Sequence, residues 1–418
     1  MENSILNKVK ETEALFENYE IVGSELARLR RLRSKLEERH ITVSVIGQFK
    51  RGKSALVNRI LEREIMPVGI VPVTAVVTTV DYGDEEAEIH FNNGLVQKVE
   101  FGNLSTYVNE QENKNNKLNV SKVAIKCPSA FLENGITLVD TPGVGSMHEK
   151  NSEEAYAFVK ESDAVVFTLS VDSPINQIEI DFLKNAKEYA AKFYFAVNKI
   201  DVIDDAELNS YMEYCRGFIS GLMEVENVTL FPVSAKDDRG IDRLKKAVTD
   251  DLLRESSHIL EESASKKLHD IVMSALSQVT FYRNALSMTH GEFDAKFKEM
   301  QEFFDAIHVE AVALPESLKE NRVVCQAYIN DVKNRLTAKV KELFGIDYHY
   351  DIADIEGETA VAAGNVSGQV DEICSSLNKT LNAIFMHREE NTYVVARRIN
   401  DLNRLVRRLV KMRDEKIE

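Results

Sequence analysis

The pattern of apolar and polar positions changes character twice along the chain. Over residues 4–39, apolar side chains recur largely at helical spacing, which predicts one long helix. From Ile41 onward, short apolar runs alternate with amphipathic stretches, an order typical of a mainly parallel α/β sheet with helices on both faces. A hairpin is expected around Asn92-Asn93-Gly94. The predicted strands cover residues 41–47, 75–82, 87–91, 135–140, 163–170, 192–198 and 228–234.

After about residue 240 the strand pattern stops and only helical patterns follow. They cover residues 240–290, 293–312, 315–345 and 369–416, with a hairpin tip expected at 347–368. The predicted divisions are an N-terminal helix (1–40), an α/β domain (41–250) and an all-α helical bundle (251–418) that the N-terminal helix joins. Because one helix cannot bury its own apolar stripe, residues 4–39 should pack against the helix after 250 and against 395–412.

Charge and composition narrow the classes of protein. The formal net charge of −16 disfavours general binding to nucleic acid, whose phosphates attract basic surfaces. The cysteines Cys127, Cys215, Cys325 and Cys374 form no C-x-x-C pair, so neither zinc nor redox chemistry is indicated. The N-terminus has no signal-peptide pattern, and no run of about 18 apolar residues is present. These features predict a cytoplasmic protein whose membrane contact, at the inner face, would be peripheral.

A phosphate-binding loop follows the first predicted strand. Residues 47–54 read GQFKRGKS and match the pattern G-x-x-x-x-G-K-S between a strand and a helix. In this pattern the glycines let backbone N–H groups wrap around phosphates, the lysine reaches the β- and γ-phosphates, and the serine hydroxyl ligates Mg²⁺. The predicted nucleotide contacts of this loop are Gly47, Lys50, Arg51, Gly52, Lys53, Ser54 and Ala55.

Two later loops indicate which base is bound. Residues 198–201, Asn-Lys-Ile-Asp, end a predicted strand and resemble the guanine-specifying motif of the GTPase superfamily. The Asp201 carboxylate can accept two hydrogen bonds from guanine, and adenine offers neither donor there. Residues 234–236, Ser-Ala-Lys, resemble the last motif of that superfamily, whose backbone N–H meets the guanine oxygen. GTP or GDP is therefore the predicted ligand, contacted by Asn198, Lys199, Asp201, Ser234, Ala235 and Lys236.

The remaining superfamily elements concern Mg²⁺ and the γ-phosphate. Residues 140–143, Asp-Thr-Pro-Gly, resemble the D-x-x-G element, in which Asp140 holds Mg²⁺ through water and the Gly143 N–H meets the γ-phosphate. A threonine should also close over both groups. Thr74 is the candidate, because it follows a Gly/Pro-rich stretch, whereas Thr78 and Thr79 are expected to be strand residues. The predicted metal ligands are Ser54, Thr74 and Asp140.

These motifs, with GQFKRGKSALVNRIL followed by MPVGIVPVTAVVT, resemble the dynamin-related large GTPases, most closely the bacterial dynamin-like proteins. The long interval between Thr74 and Asp140 and the helices at both ends of the chain agree with the resemblance. It implies hydrolysis of GTP to GDP and phosphate, a homodimer of G domains across the nucleotide face, and movement of the helical bundle at a membrane or in an assembly. A related dynamin-like chain is a further partner that it implies.

The residue after D-x-x-G is Val144, where many small GTPases carry a catalytic glutamine. An apolar side chain cannot orient the attacking water, so backbone around Thr74 or the residues that follow it is expected to do so. Lys50 or Arg51 would neutralise charge developing between the phosphates, and the alternative is that both are solvated loop cations. The predicted catalytic set is therefore Lys53, Thr74 and Lys50.

The basic, amphipathic segment 396–413 leaves two interpretations open. It could bind anionic lipid, or its apolar seam (Val395, Ile399, Leu402, Val406 and Leu409) could pack in the bundle, which is the preferred interpretation. The acidic tip at 347–368 is a second candidate for membrane insertion. The rival function is a regulatory GTP switch, of the immunity-related or translation type, that recruits a protein partner and is turned off in trans.

Overall fold

The structure is a computed structural model, and it describes residues 4–68, 76–109, 112–113, 116–144, 155, 158–315, 322–346 and 366–414. The chain divides into two units. One unit is formed by residues 34–267, and the other by the described parts of 1–33, 268–356 and 361–418. These divisions fall near residues 33 and 267, whereas the sequence placed the domain limits near 40 and 250.

The unit of residues 34–267 is built on a mixed sheet. Its described strands are β1 (Ile41–Ile46), β2 (Thr78–Tyr82), β3 (Glu86–Phe91), β4 (Val96–Val99), β5 (Val120–Cys127), β6 (Ile136–Asp140), β7 (Ala164–Ser170), β8 (Lys192–Asn198) and β9 (Leu230–Pro232). Their order across the sheet is β4-β3-β5-β2-β6-β1-β7-β8-β9. Neighbours from β6 through β1, β7 and β8 to β9 all run parallel. This confirms the predicted fold class of an α/β domain with a mainly parallel sheet.

The central strands read as continuous apolar runs because both faces of the sheet are covered. Every residue of β7 is buried. The helices of this unit are α3 (Lys53–Leu61), α4 (Ser105–Val108), α5 (Gln177–Lys187), α6 (Asp205–Met223) and the first part of α7 (Ile241–Ser287). Because β6, β1, β7 and β8 run parallel, their carboxyl ends lie side by side at one edge of the sheet. Ligands of such sheets bind at this edge.

The other half of the sheet differs in part from expectation. The hairpin around Asn92–Gly94 is confirmed by the antiparallel pair of β3 and β4. Strand β5 was not predicted, although its residues 123–127 alternate between buried and more exposed positions, the pattern of a half-buried strand. Thr78 and Thr79 are buried residues of β2, as predicted.

The helical unit contains α1 (Ser4–Phe16), α2 (Gly23–Glu38) up to residue 33, the rest of α7, α8 (His290–Ala313), α9 (Arg322–Phe344), α10 (Val366–Arg388) and α11 (Thr392–Asp414). The prediction of one helix over 4–39 is wrong, since Tyr19 adopts an extended conformation between α1 and α2. The single pattern 369–416 is likewise two helices, because the Asn391 side chain accepts a hydrogen bond from the Tyr393 N–H at the start of α11. Residues 366–368 begin α10, and the remainder of the predicted tip lies outside the described residues.

For α2, the predicted packing on the helix after residue 250, which is α7, is confirmed within the helical unit. Arg28 forms an ion pair with Asp270, and the Glu25 carboxylate accepts hydrogen bonds from the Ser274 hydroxyl (2.8 Å) and the Gln278 amide. Contact of the N-terminal helices with residues 395–412 stays a prediction. In α11 the buried side chains are Leu402, Leu405 and Leu409, whereas Val395, Ile399 and Val406 are half-buried.

Candidate functional site

The phosphate-binding loop lies between β1 and α3, and its glycines are required by close backbone contacts. Gly47 has φ +148°, and a Cβ there would lie 2.5 Å from the Thr168 carbonyl oxygen. Gly52 has φ +86°, and a Cβ there would collide with the Asn198 side-chain amide. Any side chain at either position would therefore displace the loop.

Lys53 begins α3 with a buried side chain. Its Nζ donates to the carbonyl oxygens of Gly47 (3.0 Å) and Gln48 (3.3 Å). Burial lowers the pKa of Lys53 to about 8, although Asp140 and Glu179 act in the opposite direction. A desolvated ammonium held inside the loop is well placed to exchange these carbonyls for phosphate oxygens, which are stronger acceptors.

Two oxygen donors meet beside the loop. The Ser54 hydroxyl, in the first turn of α3, donates to Asp140 Oδ2 at the end of β6 over 2.6 Å. Hydroxyl and carboxylate oxygens are the hard ligands that Mg²⁺ takes when phosphates supply the others, so this donor set fits Mg²⁺. Ala55 follows in the same helix and is half-buried. Thr74, the third predicted ligand, lies outside the described residues.

The loop after β6 is joined to the phosphate-binding loop. The Phe49 N–H donates to the Val144 carbonyl oxygen (3.1 Å), and a Cβ at Gly143 would lie 2.7 Å from the Phe49 Cα. The Val144 side chain is fully buried in the apolar core. It therefore cannot meet a water molecule at the phosphates, in agreement with the reasoning from sequence.

The base-specifying motifs are joined to each other and to the phosphate-binding loop through one side chain. Asn198 Nδ2 donates to the Arg51 carbonyl oxygen (2.9 Å), and Asn198 Oδ1 accepts from the Ala235 N–H (3.1 Å). Asp201 Oδ1 accepts from the Ser234 hydroxyl (2.7 Å), and this hydrogen bond lowers the pKa of the Asp201 carboxyl. A carboxylate that stays ionised and fixed in direction suits recognition of paired N–H donors.

The two lysines of these motifs lie at the outside of the site. Lys199 has the left-handed φ of +64°, and its Nζ forms an ion pair with Asp172 (2.7 Å). Lys236 is largely exposed, and its Nζ lies 3.8 Å from Asp201 Oδ2. Both ammonium groups therefore border the loops that carry the carboxylates.

Lys50 and Arg51, which the sequence treated as alternatives for the same role, have different environments in the structure. The Lys50 side chain is exposed, and its Nζ lies 5.4 Å from the centre of the Phe49 ring. Arg51 is not a solvated loop cation, because its side chain is buried and forms an ion pair with the fully buried Glu179 (2.7 Å). Arg51 therefore contributes a backbone carbonyl to the site, while its guanidinium points into the protein.

The segment from Ser170 to Glu179 also contributes to the site, although no nucleotide-binding motif pointed to it in the sequence. Asn176 Nδ2 donates to the Gln48 side-chain oxygen in the phosphate-binding loop (2.7 Å). Asn176 and Glu179 also form a capping box at the start of α5. The spacing N-x-x-E before an apolar run is a known signal of a helix start and could have identified this segment.

Fold and site together define a phosphate-loop domain of the guanine-nucleotide-binding class. Residues 43–201 match the Dynamin family. The chain is 35% identical over 206 residues to an uncharacterized protein in the xynA 3' region of Caldicellulosiruptor sp. (strain Rt8B.4). The aligned residues cover 49% of this chain and 51% of that protein. The chain is 30% identical over 204 residues to a probable transmembrane GTPase, FZO-like, chloroplastic, of Arabidopsis thaliana, covering 49% and 20% of the two chains.

A third relative is the bacterial dynamin-like protein of Nostoc punctiforme, 30% identical over 174 residues that cover 39% of this chain and 25% of the relative. The chain thus spans about half of the first relative and a quarter or less of the other two. The resemblance to dynamin-related large GTPases is confirmed, and residues 43–201 are the part of the chain that matches the Dynamin family.

Proposed function

We propose that this protein binds GTP with Mg²⁺ and hydrolyses it to GDP and phosphate. The observation that carries the proposal is the Asn198 side chain, which ties the base-specifying loops to the phosphate-binding loop at the carboxyl ends of the parallel strands β1, β8 and β9. One rigid arrangement therefore presents a guanine acceptor at Asp201 and a phosphate cradle at residues 47–54. The match of residues 43–201 to the Dynamin family supports the same reaction.

In this proposal each group has a defined task. Asp201 selects guanine, and the Ala235 N–H, aligned by Asn198, meets the guanine oxygen. Lys53 binds the β- and γ-phosphates, and Ser54 and Asp140 hold Mg²⁺, which neutralises phosphate charge when bound. Thr74 closes over the γ-phosphate. Because Val144 is buried, the attacking water is oriented by backbone groups near Thr74 rather than by the side chain at position 144.

The proposal extends to assembly. Two G domains pair across the nucleotide face, Lys50 is ordered there, and the helical unit then changes its position during the cycle. The exposure of the Lys50 side chain on the phosphate-binding loop supports this role, since a buried lysine could not contact a second subunit. None of the described helices has the length and apolar character that a bilayer crossing requires. Membrane contact is proposed as peripheral.

Binding and hydrolysis are tested with purified protein. We expect calorimetry to detect GTP and GDP but not ATP, and phosphate release to require both GTP and Mg²⁺. Equal affinity for ATP and GTP would contradict the assignment of Asp201. A regulatory switch in place of a self-activated enzyme would show slow turnover that does not change with protein concentration.

A further inference from the structure

The Arg51 guanidinium is fully used by partners inside the domain. Nε and Nη2 form a two-pronged pair with the Glu179 carboxylate, over 2.8 and 2.7 Å. Nη2 also donates to the Pro174 carbonyl oxygen (3.0 Å). Nη1 donates to the Ser173 carbonyl oxygen (2.8 Å) and the Ser170 hydroxyl (3.0 Å). All five N–H directions of the side chain are thereby taken by atoms of residues 170–179.

Because both side chains are buried, breaking the ion pair between Arg51 and Glu179 is energetically costly. The side chains of Arg51 and Glu179 are 2% and 0% exposed. A guanidinium that turned away would leave Glu179 as an unpaired buried carboxylate, which is strongly unfavourable. The planar fork also fixes direction as well as distance, and a lysine at this position could not do the same.

The pair acts on the loop that the nucleotide needs. Arg51 directly precedes Gly52 and Lys53, and its own carbonyl oxygen accepts the hydrogen bond of Asn198. A second link, from Asn176 to Gln48, holds the other side of the loop. Glu179 in turn completes the capping box with Asn176, so both links come from the start of α5.

We propose that Arg51 and Glu179 are positioning residues that hold the phosphate-binding loop in its nucleotide-binding shape. The inference rests on the proposed function, and it excludes the Arg51 side chain from the phosphates. Of Lys50 and Arg51, Lys50 is then the residue whose charged side chain is available to the reaction. A catalytic arginine would act on the γ-phosphate alone, whereas a positioning pair affects GDP as much as GTP, because the loop backbone holds the β-phosphate.

The test compares Arg51→Lys and Glu179→Gln with two exposed controls of the same chemistry, Arg254→Lys and Glu188→Gln. Equilibrium affinities for GDP and GTP, kcat and KM are measured, together with hydrogen exchange of residues 47–54 in nucleotide-free protein. A misplacement of about 1 Å in a positioned group can cost on the order of 100-fold. We expect both site variants to weaken GDP and GTP alike, by about tenfold or more, to raise KM more than they lower kcat, and to speed exchange in the loop.

Opposite outcomes overturn the inference. Unchanged GDP affinity with a large fall in kcat in Arg51→Lys alone would make Arg51 catalytic, and unchanged exchange and affinity in both variants would make the pair irrelevant to the loop. If a single variant fails to fold, Arg51→Met combined with Glu179→Met leaves no buried charge unpaired. A folded double variant should still bind GDP weakly, and normal affinity there would refute the proposal. Wild-type protein that binds no nucleotide would instead contradict the proposed function. The hydrogen-exchange comparison in nucleotide-free protein would still test whether Arg51 and Glu179 hold the loop.

Discussion

Replacement of Asp201 by asparagine is the sharpest test of base recognition. The Asp201 side chain is only 8% exposed, and the Ser234 hydroxyl holds one of its oxygens at 2.7 Å. This hydrogen bond lowers the pKa of the carboxyl, so the group accepts hydrogen bonds as an anion at neutral pH. Asp201→Asn keeps the shape but presents an N–H₂ group where guanine also presents N–H donors.

The expected loss follows from two hydrogen bonds to a charged group. Each contributes about 1.5–3 kcal/mol, so GTP affinity should fall by about two to four powers of ten. Xanthosine nucleotides offer a carbonyl in place of the exocyclic amine and should bind the variant better than the wild type. Isothermal titration calorimetry with GTP, GDP and XTP measures both effects, and Asp205→Asn on the exposed start of α6 is the matched control. GTP affinity within about twofold of wild type would remove Asp201 from the site.

Three further predictions concern catalysis, folding and pH. Lys53→Ala should abolish nucleotide binding or turnover, while Thr74→Ala should spare binding and slow phosphate release; normal turnover in the second variant would make the Thr74 assignment wrong. Arg388→Met should lower the free energy of unfolding by about 2–4 kcal/mol, measured by chemical denaturation. The reason is that the Arg388 guanidinium donates to the Ala285, Leu286 and Met288 carbonyls at the end of α7. A loss no larger than that of the exposed control Arg397→Met would contradict this. Burial acts to raise the pKa of Asp163, but Lys267 and Lys35 outweigh it and hold the pKa well below its usual range. The stability that the ionised carboxylate adds is present above about pH 4 and lost as pH falls. The melting temperatures of wild type and Asp163→Asn should therefore converge in acid, and a difference in melting temperature that stays constant with pH would refute this.

The sequence predicted loop geometry well wherever a short motif determines its own backbone conformation. Gly47 and Gly52 occupy positions that only glycine tolerates, and the motif shows this without tertiary information. Asn198 and Ala235 were assigned correctly to neighbouring loops because both follow parallel strands, whose carboxyl ends meet at one edge. Their roles toward a nucleotide remain predictions.

Tertiary contacts could not be predicted in the same way. Arg51 and Glu179 lie 128 residues apart in the chain, and no local pattern pairs them. An arginine beside a phosphate-binding loop was therefore expected near phosphates or in solvent, whereas the fold buries it. Strand β5, which pairs with β2 and β3, is a different case, because the alternation over residues 123–127 could have identified it from the sequence.

Helix limits were the least predictable feature. The apolar spacing continues through residues 4–39, yet Tyr19 takes an extended conformation and two helices result. At the other end, Asn391 starts a new helix within a continuous amphipathic pattern. At Asn391 a polar side chain that bonds the backbone marks the break, and the periodicity of apolar residues carries no such information.

The central claim, a GTPase activated by pairing of its own G domains, is tested most directly by turnover per subunit across a wide range of enzyme concentration. Because Val144 is buried and cannot orient water, an isolated subunit should be slow. We predict that specific turnover rises with concentration to a plateau, that a transition-state analogue yields a dimer in light scattering, and that Lys50→Ala lowers the plateau more than it lowers nucleotide affinity. Turnover per subunit that stays flat, with no dimer in the analogue-bound form, would contradict self-activation and favour a switch controlled by a partner protein.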